Sequence, residues 1–145
     1  MTRKAQAVAT RSSKARKTST VLLVEDDDGL RAALRFALEL DGFEVWTFAT
    51  AEALLDLGRL PGEALLVLDE KLPGMTGLDL LEELRRRQAD MPVILITTST
   101  PAVRARAKAL SAPIVEKPLL NDDLLRKVEA VASQIRSAST PREPG

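Results

Sequence analysis

The sequence predicts an α/β fold, a parallel β-sheet with helices on both of its faces. Apolar runs of strand length alternate with amphipathic helical patterns five times between residues 20 and 136. The runs are continuously apolar, which is typical of strands that are buried on both faces. The connections are short, and short right-handed crossovers join successive strands into a parallel sheet.

The first two strand–helix units are read as follows. The first strand is the run VLLV at residues 21–24, and the amphipathic helix after it ends at Gly42, since glycine is a common residue just past a helix. A weaker strand at residues 43–48 precedes a short helix over residues 53–57. Thr50 is the predicted N-cap of that helix, because its hydroxyl can accept a hydrogen bond from the first turn.

The remaining three strands are residues 64–68, residues 93–96 and the short pair at residues 114–115. Each is followed by apolar side chains at helical spacing: Leu78, Leu81 and Leu84; Val103, Ala107 and Leu110; Leu124, Val128, Val131 and Ile135. The fourth helix begins after Pro101 and has the weakest pattern. Asn121 is the predicted cap of the fifth helix.

The composition excludes several kinds of chemistry. The 145 residues contain no cysteine and no histidine, which removes disulfides, thiolate and imidazole metal ligands and Ser-His-Asp triads. Three phenylalanines and one tryptophan are the whole aromatic content, which argues against stacking on nucleic acid bases. Carboxylates, lysines, arginines and hydroxyls remain, and this set suits a hard cation and phosphate.

The net charge of +0 conceals an uneven distribution. Residues 1–20 hold six basic residues and no acid, whereas the other 125 residues hold 15 basic and 21 acidic ones. We therefore expect a disordered basic tail at residues 1–19, one domain at residues 20–136 and a second disordered tail at residues 137–145. No apolar run approaches the roughly 20 residues of a membrane span, so no membrane association is expected. Nucleic acid binding is left open by the basic tail, but dispersed charges without aromatics favour a solubilising leader.

Chemistry-bearing residues follow four of the predicted strands. These are Glu25 and Asp26, then Asp69, then Thr97 and Thr98, and finally Lys117. The carboxyl ends of parallel strands share one edge of the sheet, where ligands bind in such folds. Clustered carboxylates repel one another and need a cation, and oxygen ligands suit Mg²⁺. A lysine and a hydroxyl beside them could hold phosphoryl oxygens.

Asp69 is the nucleophile candidate, because it alone among these acids ends the central apolar run, and aspartyl phosphate is a known type of covalent intermediate. Taken singly, each residue has a simpler interpretation as a helix cap, a turn residue or a solvated loop side chain. Their joint placement at the ends of four strands points to phosphoryl transfer.

The segments VLLVEDD, LLVLDEKLPGMTGLDLL, VILITTS and IVEKP occur in this order. With them, residues 20–136 resemble the receiver domain of bacterial two-component response regulators. The resemblance implies a doubly wound five-stranded sheet with the flavodoxin-like order 2-1-3-4-5. It also implies a cytoplasmic signalling protein that is no enzyme beyond catalysing its own phosphorylation and dephosphorylation.

The resemblance also implies a role for each matching residue. Asp69 is the phosphoacceptor, Asp26 binds Mg²⁺ directly, and Glu25 acts on the metal through water. Lys71 offers its backbone carbonyl to the metal.

The same resemblance assigns Thr97 as the hydroxyl that turns toward the phosphoryl group, with Thr98 beside it, and Lys117 as the lysine that pairs with that group. Pro118 follows a cis peptide bond. Pro73, Gly74 and Gly77 form the tight loop after the acceptor, where glycine gives permissive backbone angles.

The chain departs from the receiver pattern near the fourth helix. Ile114 stands where many receivers carry the Tyr or Phe that rotates with the threonine, and Leu110 stands where a glycine usually ends the helix. The segment from Thr97 to Lys117 is shorter than usual and contains two prolines. We therefore expect a short or irregular fourth helix.

The phosphoryl donor must be another molecule, because the chain has no histidine. The resemblance implies a histidine kinase or a histidine phosphotransfer protein as the donor, an unknown downstream protein, and homodimerisation as a further option. With no output domain in this sequence, the expected protein is a stand-alone receiver. The alternatives are a phosphate-independent interaction module, a nucleic-acid-binding protein acting through its tail, and a haloacid-dehalogenase-like phosphatase. The phosphatase requires an aspartate where Lys71 stands.

Overall fold

The computed structural model describes residues 19–119 and 122–139. Their five strands are β1 (Thr20–Val24), β2 (Glu44–Phe48), β3 (Ala64–Asp69), β4 (Val93–Thr97) and β5 (Ile114–Glu116). The helices are α1 (Asp28–Leu40), α2 (Ala51–Leu55), α3 (Gly77–Arg86), α4 (Pro101–Ala109) and α5 (Asp123–Ser139). All pairings are parallel in the order β2-β1-β3-β4-β5, which confirms the predicted fold class and strand order.

The core consists of two apolar clusters, one on each face of the sheet. In β1, Leu22 and Val24 belong to the cluster that includes α2 and α3, whereas Val21 and Leu23 belong to the cluster that includes α1 and α5. Successive side chains of a strand point to opposite faces, so a strand covered on both sides must be apolar throughout. This is the physical reason for the uninterrupted apolar runs in the sequence.

Helix α1 ends as the sequence predicts. Gly42 has a φ of 101°, which is the left-handed conformation that glycine adopts without steric cost. The N–H of Gly42 donates to the carbonyl of Glu39 at 2.9 Å, and the N–H of Phe43 donates to that of Leu38 at 3.1 Å. Helix α2 begins directly after the predicted N-cap Thr50, and Leu57, which the sequence placed in this helix, lies beyond its end.

Helix α4 is short, with nine residues, and it is a regular α-helix. Thr100 caps it, and Pro101 occupies its first turn, where a missing N–H is tolerated. Only Ala107 of this helix is buried. The resemblance to receivers placed the usual helix-ending glycine at Leu110. The residue with the left-handed conformation is the next one, Ser111, with a φ of 58°.

The end of α4 is a Schellman motif built on a serine. The N–H of Ser111 donates to the carbonyl of Lys108 at 3.1 Å, and that of Ala112 donates to Ala107 at 2.8 Å. A non-glycine residue in this conformation carries a steric cost. Ser111→Gly is therefore expected to raise the free energy of unfolding by about 0.5–1 kcal/mol, measured by urea denaturation.

The matched control for this prediction is Ser133→Gly, the same change at an exposed position within α5. Glycine in a helix interior lowers stability, so this control should shift the urea midpoint in the opposite direction. Equal shifts of the same sign in the two variants would contradict the account of the α4 terminus.

The domain boundaries differ from the prediction in two details. Helix α5 continues to Ser139, three residues past the predicted end of the domain. Ser19, which the sequence assigned to the basic tail, is fully buried. The predicted cap Asn121 and most of both predicted tails lie outside the described residues. Within the part that is described, no helix is long and apolar enough to cross a membrane.

Candidate functional site

The sheet brings three acidic side chains together at its carboxyl edge. Asp69 ends β3, and Glu25 and Asp26 directly follow the neighbouring strand β1. One carboxylate oxygen from each of these residues lies within 4.8 Å of the other two. Glu25 and Asp69 are buried and Asp26 is exposed. The acids that the sequence placed at the ends of two different strands therefore form one cluster.

Backbone hydrogen bonds hold the Glu25 side of the cluster. The N–H of Glu25 donates to the carbonyl of Phe48 at 3.0 Å, which continues the β1–β2 pairing beyond the strand. The N–H of Asp27 donates to Oε2 of Glu25 at 3.0 Å. Asp27 itself is the N-cap of α1, and its Oδ1 accepts from the N–H of Leu30 at 2.8 Å. The turn from β1 into α1 thus orients the Glu25 carboxylate.

Lys117 is the cation that meets the phosphoacceptor candidate. Its Nζ lies 3.1 Å from Oδ1 and 3.2 Å from Oδ2 of Asp69. The N–H of Lys71 also donates to Oδ1 of Asp69 at 3.1 Å. The Asp69 side chain is only 3% exposed, and these hydrogen-bond and ion-pair partners offset the cost of burying its carboxylate.

The threonines lie on the adjoining strand. Thr97 is the last residue of β4 and is buried, and its carbonyl accepts from the N–H of Lys117 at 3.0 Å. Thr98 follows it and is exposed, as is the side chain of Lys71. The peptide bond between Lys117 and Pro118 is cis.

The electrostatics of the cluster suit a divalent cation. Burial, followed by the negative charge of Asp69, raises the pKa of Glu25 to about 7, against the opposing effect of the Asp27 N–H. Oε1 of Glu25 is buried and has no hydrogen-bond partner. A hard cation would supply the missing partner, and carboxylate oxygens are the ligands that Mg²⁺ prefers. Exposed Asp26 leaves one side of the site open to the waters that Mg²⁺ retains.

Gly77 supports the site for a reason that differs from the sequence prediction. Gly74 does have the permissive φ of 74°, but Gly77 has no positive φ. Instead, a Cβ on Gly77 would lie 2.6 Å from the carbonyl oxygen of Asp69. Helix α3 therefore begins in direct contact with the backbone of Asp69, and only glycine fits there.

Glu70 is a supporting residue to which sequence reasoning assigned no role. Its Oε1 accepts from the N–H of Leu78 at 2.8 Å, and its carbonyl accepts from the N–H of Gly77 at 3.1 Å. Glu70 thus fastens the first turn of α3 to the residue after Asp69. The sequence shows a glutamate directly after the strand-end aspartate. It does not show that this glutamate binds the N–H of Leu78, eight residues further along the chain.

Comparisons with known proteins agree with this geometry. Residues 21–129 match the model of the response regulator receiver domain. The chain is 37% identical over 125 residues to the transcriptional regulatory protein FixJ of Azorhizobium caulinodans, covering 85% of this chain and 58% of that protein. It is 30% identical over 114 residues to the cell cycle transcriptional regulator CtrA of Caulobacter vibrioides, covering 77% and 49%.

Among solved structures, a CheY-like response regulator receiver domain protein from Methanospirillum hungatei matches with a TM-score of 0.75 and 26% identity. That match covers 83% of this chain and 98% of the other. The fold and the acidic edge thus define a signalling receiver, and the chain belongs to the response regulator receiver domain family of two-component systems. It spans about half the length of the curated relatives it matches, 58% and 49% for the two named above.

Proposed function

We propose that this protein is a phosphoaccepting response regulator in two-component or phosphorelay signalling. Asp69 takes a phosphoryl group from a partner histidine kinase or histidine phosphotransfer protein, and the phosphorylated form changes its binding to a downstream protein. The observation that carries the proposal is the buried Asp69 carboxylate, which Lys117 contacts through both oxygens within an acidic cluster.

The chemistry follows from the positions of the side chains. A carboxylate oxygen of Asp69 attacks the phosphorus, and the bond between phosphorus and the donor nitrogen breaks, with its electron pair leaving on nitrogen. Lys117 exchanges its contact with the carboxylate for one with a phosphoryl oxygen. We assign the hydroxyl of Thr97, the last residue of β4, to the same phosphoryl group, with the exposed Thr98 directly after it.

A magnesium ion fits the cluster of Glu25, Asp26 and Asp69, and the Lys71 carbonyl is a further proposed ligand. When bound, the ion would neutralise charge on the carboxylates and on the incoming phosphoryl oxygens. Without a cation, burial of two carboxylates side by side opposes the ionised form of Glu25.

The family relationship sets the wider context of the proposal. Response regulators in general receive phosphoryl groups from histidine kinases, and the absence of histidine in this chain requires a separate donor. We place this action in the cytoplasm, as for response regulators in general.

The test is the intact mass of the protein after incubation with acetyl phosphate. With Mg²⁺ we expect the gain of one phosphoryl group, and with EDTA we expect none. Asp69→Asn should show no gain in either condition, because the nucleophile is gone. Asp56→Asn, at the exposed end of α2, is the matched control and should behave as the wild type.

Two results would refute the proposal. One is a phosphoryl gain that persists in Asp69→Asn. The other is a wild-type protein that binds Mg²⁺ but accepts no phosphoryl group from either acetyl phosphate or a phosphorylated histidine kinase. The second result would favour the phosphate-independent interaction module.

A further inference from the structure

A hydrogen-bonded link joins the loop after β4 to the end of β5. The carboxylate of Glu116 accepts from the backbone N–H of Ser99 at 3.2 Å and also from the Ser99 hydroxyl. Nη1 of Arg104, in the first half of α4, donates to the same hydroxyl oxygen at 3.0 Å. Ser99 is thereby held from both sides, by the last residue of β5 and by α4.

This link lies immediately beside the proposed phosphoryl site. Glu116 pairs in register with Thr97, and the next residue, Lys117, donates its N–H to the Thr97 carbonyl. Neighbouring side chains of a strand point to opposite sides, so Lys117 reaches Asp69 while Glu116 reaches Ser99. Two consecutive residues, Glu116 at the end of β5 and Lys117 directly after it, therefore constrain the β4 terminus, Lys117 at Thr97 and Glu116 at Ser99.

The link is charge-assisted. The hydrogen bonds from Ser99 hold the pKa of Glu116 below its usual range, so the carboxylate is ionised at neutral pH. A carboxylate that accepts from a backbone N–H and a hydroxyl forms stronger and more directional bonds than a neutral acceptor would. Helix α4 packs on the core through buried Ala107 and half-buried Val103, and the hydrogen bonds of Ser99 add a separate polar constraint on the loop that leads into it.

We propose that Glu116 is a positioning residue for phosphoryl transfer, which acts by holding Ser99 and with it the segment from Thr97 to Ser99 beside Asp69. The proposal rests on the proposed function. Groups that are already in place when charge develops need no reorganisation, so a loop that is held still accelerates the transfer. Release of Ser99 slows it, although neither Ser99 nor Glu116 touches the Asp69 carboxylate.

The experiment is a double-mutant cycle on the rate of Mg²⁺-dependent phosphoryl gain from acetyl phosphate, followed by intact mass. Glu116→Ala and Ser99→Ala should each slow the reaction by roughly threefold to thirtyfold, the range for mutations within a coupled network. The double variant should be no slower than the slower single variant, because Ser99→Ala removes the hydroxyl half of the link and Glu116→Ala already removes both halves. Glu116→Gln, which keeps an oxygen acceptor, should restore part of the rate.

Two readouts separate positioning from a general structural effect. The Mg²⁺ affinity of all variants, measured by calorimetry, should equal that of the wild type, because the acidic cluster contains neither residue. Glu83→Ala is the matched control, since it also removes a glutamate that is bound by side chains, those of Arg86 at the end of α3 and Arg87 directly after it. It should leave the phosphorylation rate unchanged.

Unchanged rates in Glu116→Ala, or losses that add in the double variant, would overturn the positioning role while the proposed function stands. A wild-type protein that accepts no phosphoryl group from any donor would overturn the proposed function, and the positioning role with it. The two failures are therefore distinguishable within one experiment.

Discussion

Gly77→Ala is expected to lower the free energy of unfolding by about 2–3 kcal/mol, as overpacking of a tightly packed site does. The added Cβ would lie 2.6 Å from the Asp69 carbonyl oxygen, 3.1 Å from the Glu70 Cα and 3.2 Å from the Asp69 carbonyl carbon. All three are backbone atoms, so no side chain can rotate away to relieve the contact. The start of α3 or the end of β3 must move instead.

The measurement is urea denaturation followed by circular dichroism. Gly62→Ala is the matched control, because a Cβ there meets no atom within 4 Å and the backbone needs no positive φ. The control should be neutral or slightly stabilising, since alanine restricts the unfolded chain. Because the clash falls on the backbone of Asp69, Gly77→Ala should also slow phosphoryl gain. Equal stability of the two variants would contradict the close approach of α3 to the backbone of Asp69.

Glu25→Gln is expected to stabilise the metal-free protein by about 2 kcal/mol above pH 7 and to abolish most of the stabilisation by Mg²⁺. Burial and the charge of Asp69 raise the pKa of Glu25 in the folded state from 4.5 to about 7. An amide is neutral at every pH and so carries no cost for a buried charge. Its oxygen can still accept from the Asp27 N–H, but it is a weaker ligand for a divalent cation.

The raised pKa of Glu25 also fixes the direction in which the stability of the folded protein changes with pH. Between pH 4.5 and about 7 the folded protein holds a proton on Glu25 more tightly than the unfolded chain does, so its stability falls as the pH rises. Glu25→Gln lacks this decline, and its advantage in EDTA should grow across that window and level off above it. Glu52→Gln, an exposed position on α2, should show neither effect. Thermal unfolding at several pH values, with EDTA and with Mg²⁺, measures the pH-dependent gain in stability and the loss of stabilisation by Mg²⁺. A variant that is destabilised in EDTA, or that retains the full response to Mg²⁺, would contradict the account.

Much of the fold could be predicted because local patterns and burial agree. The uninterrupted run in β3 requires cover on both faces, and the alternation of strands with helices leaves a parallel sheet as the simple solution. The order of the strands came only through the resemblance to receivers, since periodicity does not say which strands are neighbours. The sequence predicted the end of α2 two residues too late and the end of α5 three residues too early, because helix ends depend on capping and on tertiary packing as well as on apolar spacing.

The chemical character of the site could also be predicted, since residues after parallel strands must meet at one edge. The contacts that support it could not. Ser99 and Glu116 are 17 residues apart, and nothing in either segment alone indicates that they meet. Ser111 adopts a left-handed conformation, which serine does not favour. The contact between Ser99 and Glu116 and the conformation of Ser111 both depend on the position of α4 in the folded domain.

The sequence by itself determined the α/β class, the carboxylate-and-lysine chemistry and the identity of the acceptor candidate. These features can be predicted because buried strands are continuous apolar runs in the sequence, and because the residues that follow parallel strands meet at one edge of the sheet. Only the tertiary structure decided that Lys117 contacts both oxygens of Asp69, that Gly77 is required by close approach, and that Glu116 holds Ser99. These facts depend on distances between segments far apart in the chain, and such distances are set by packing, which no local pattern encodes.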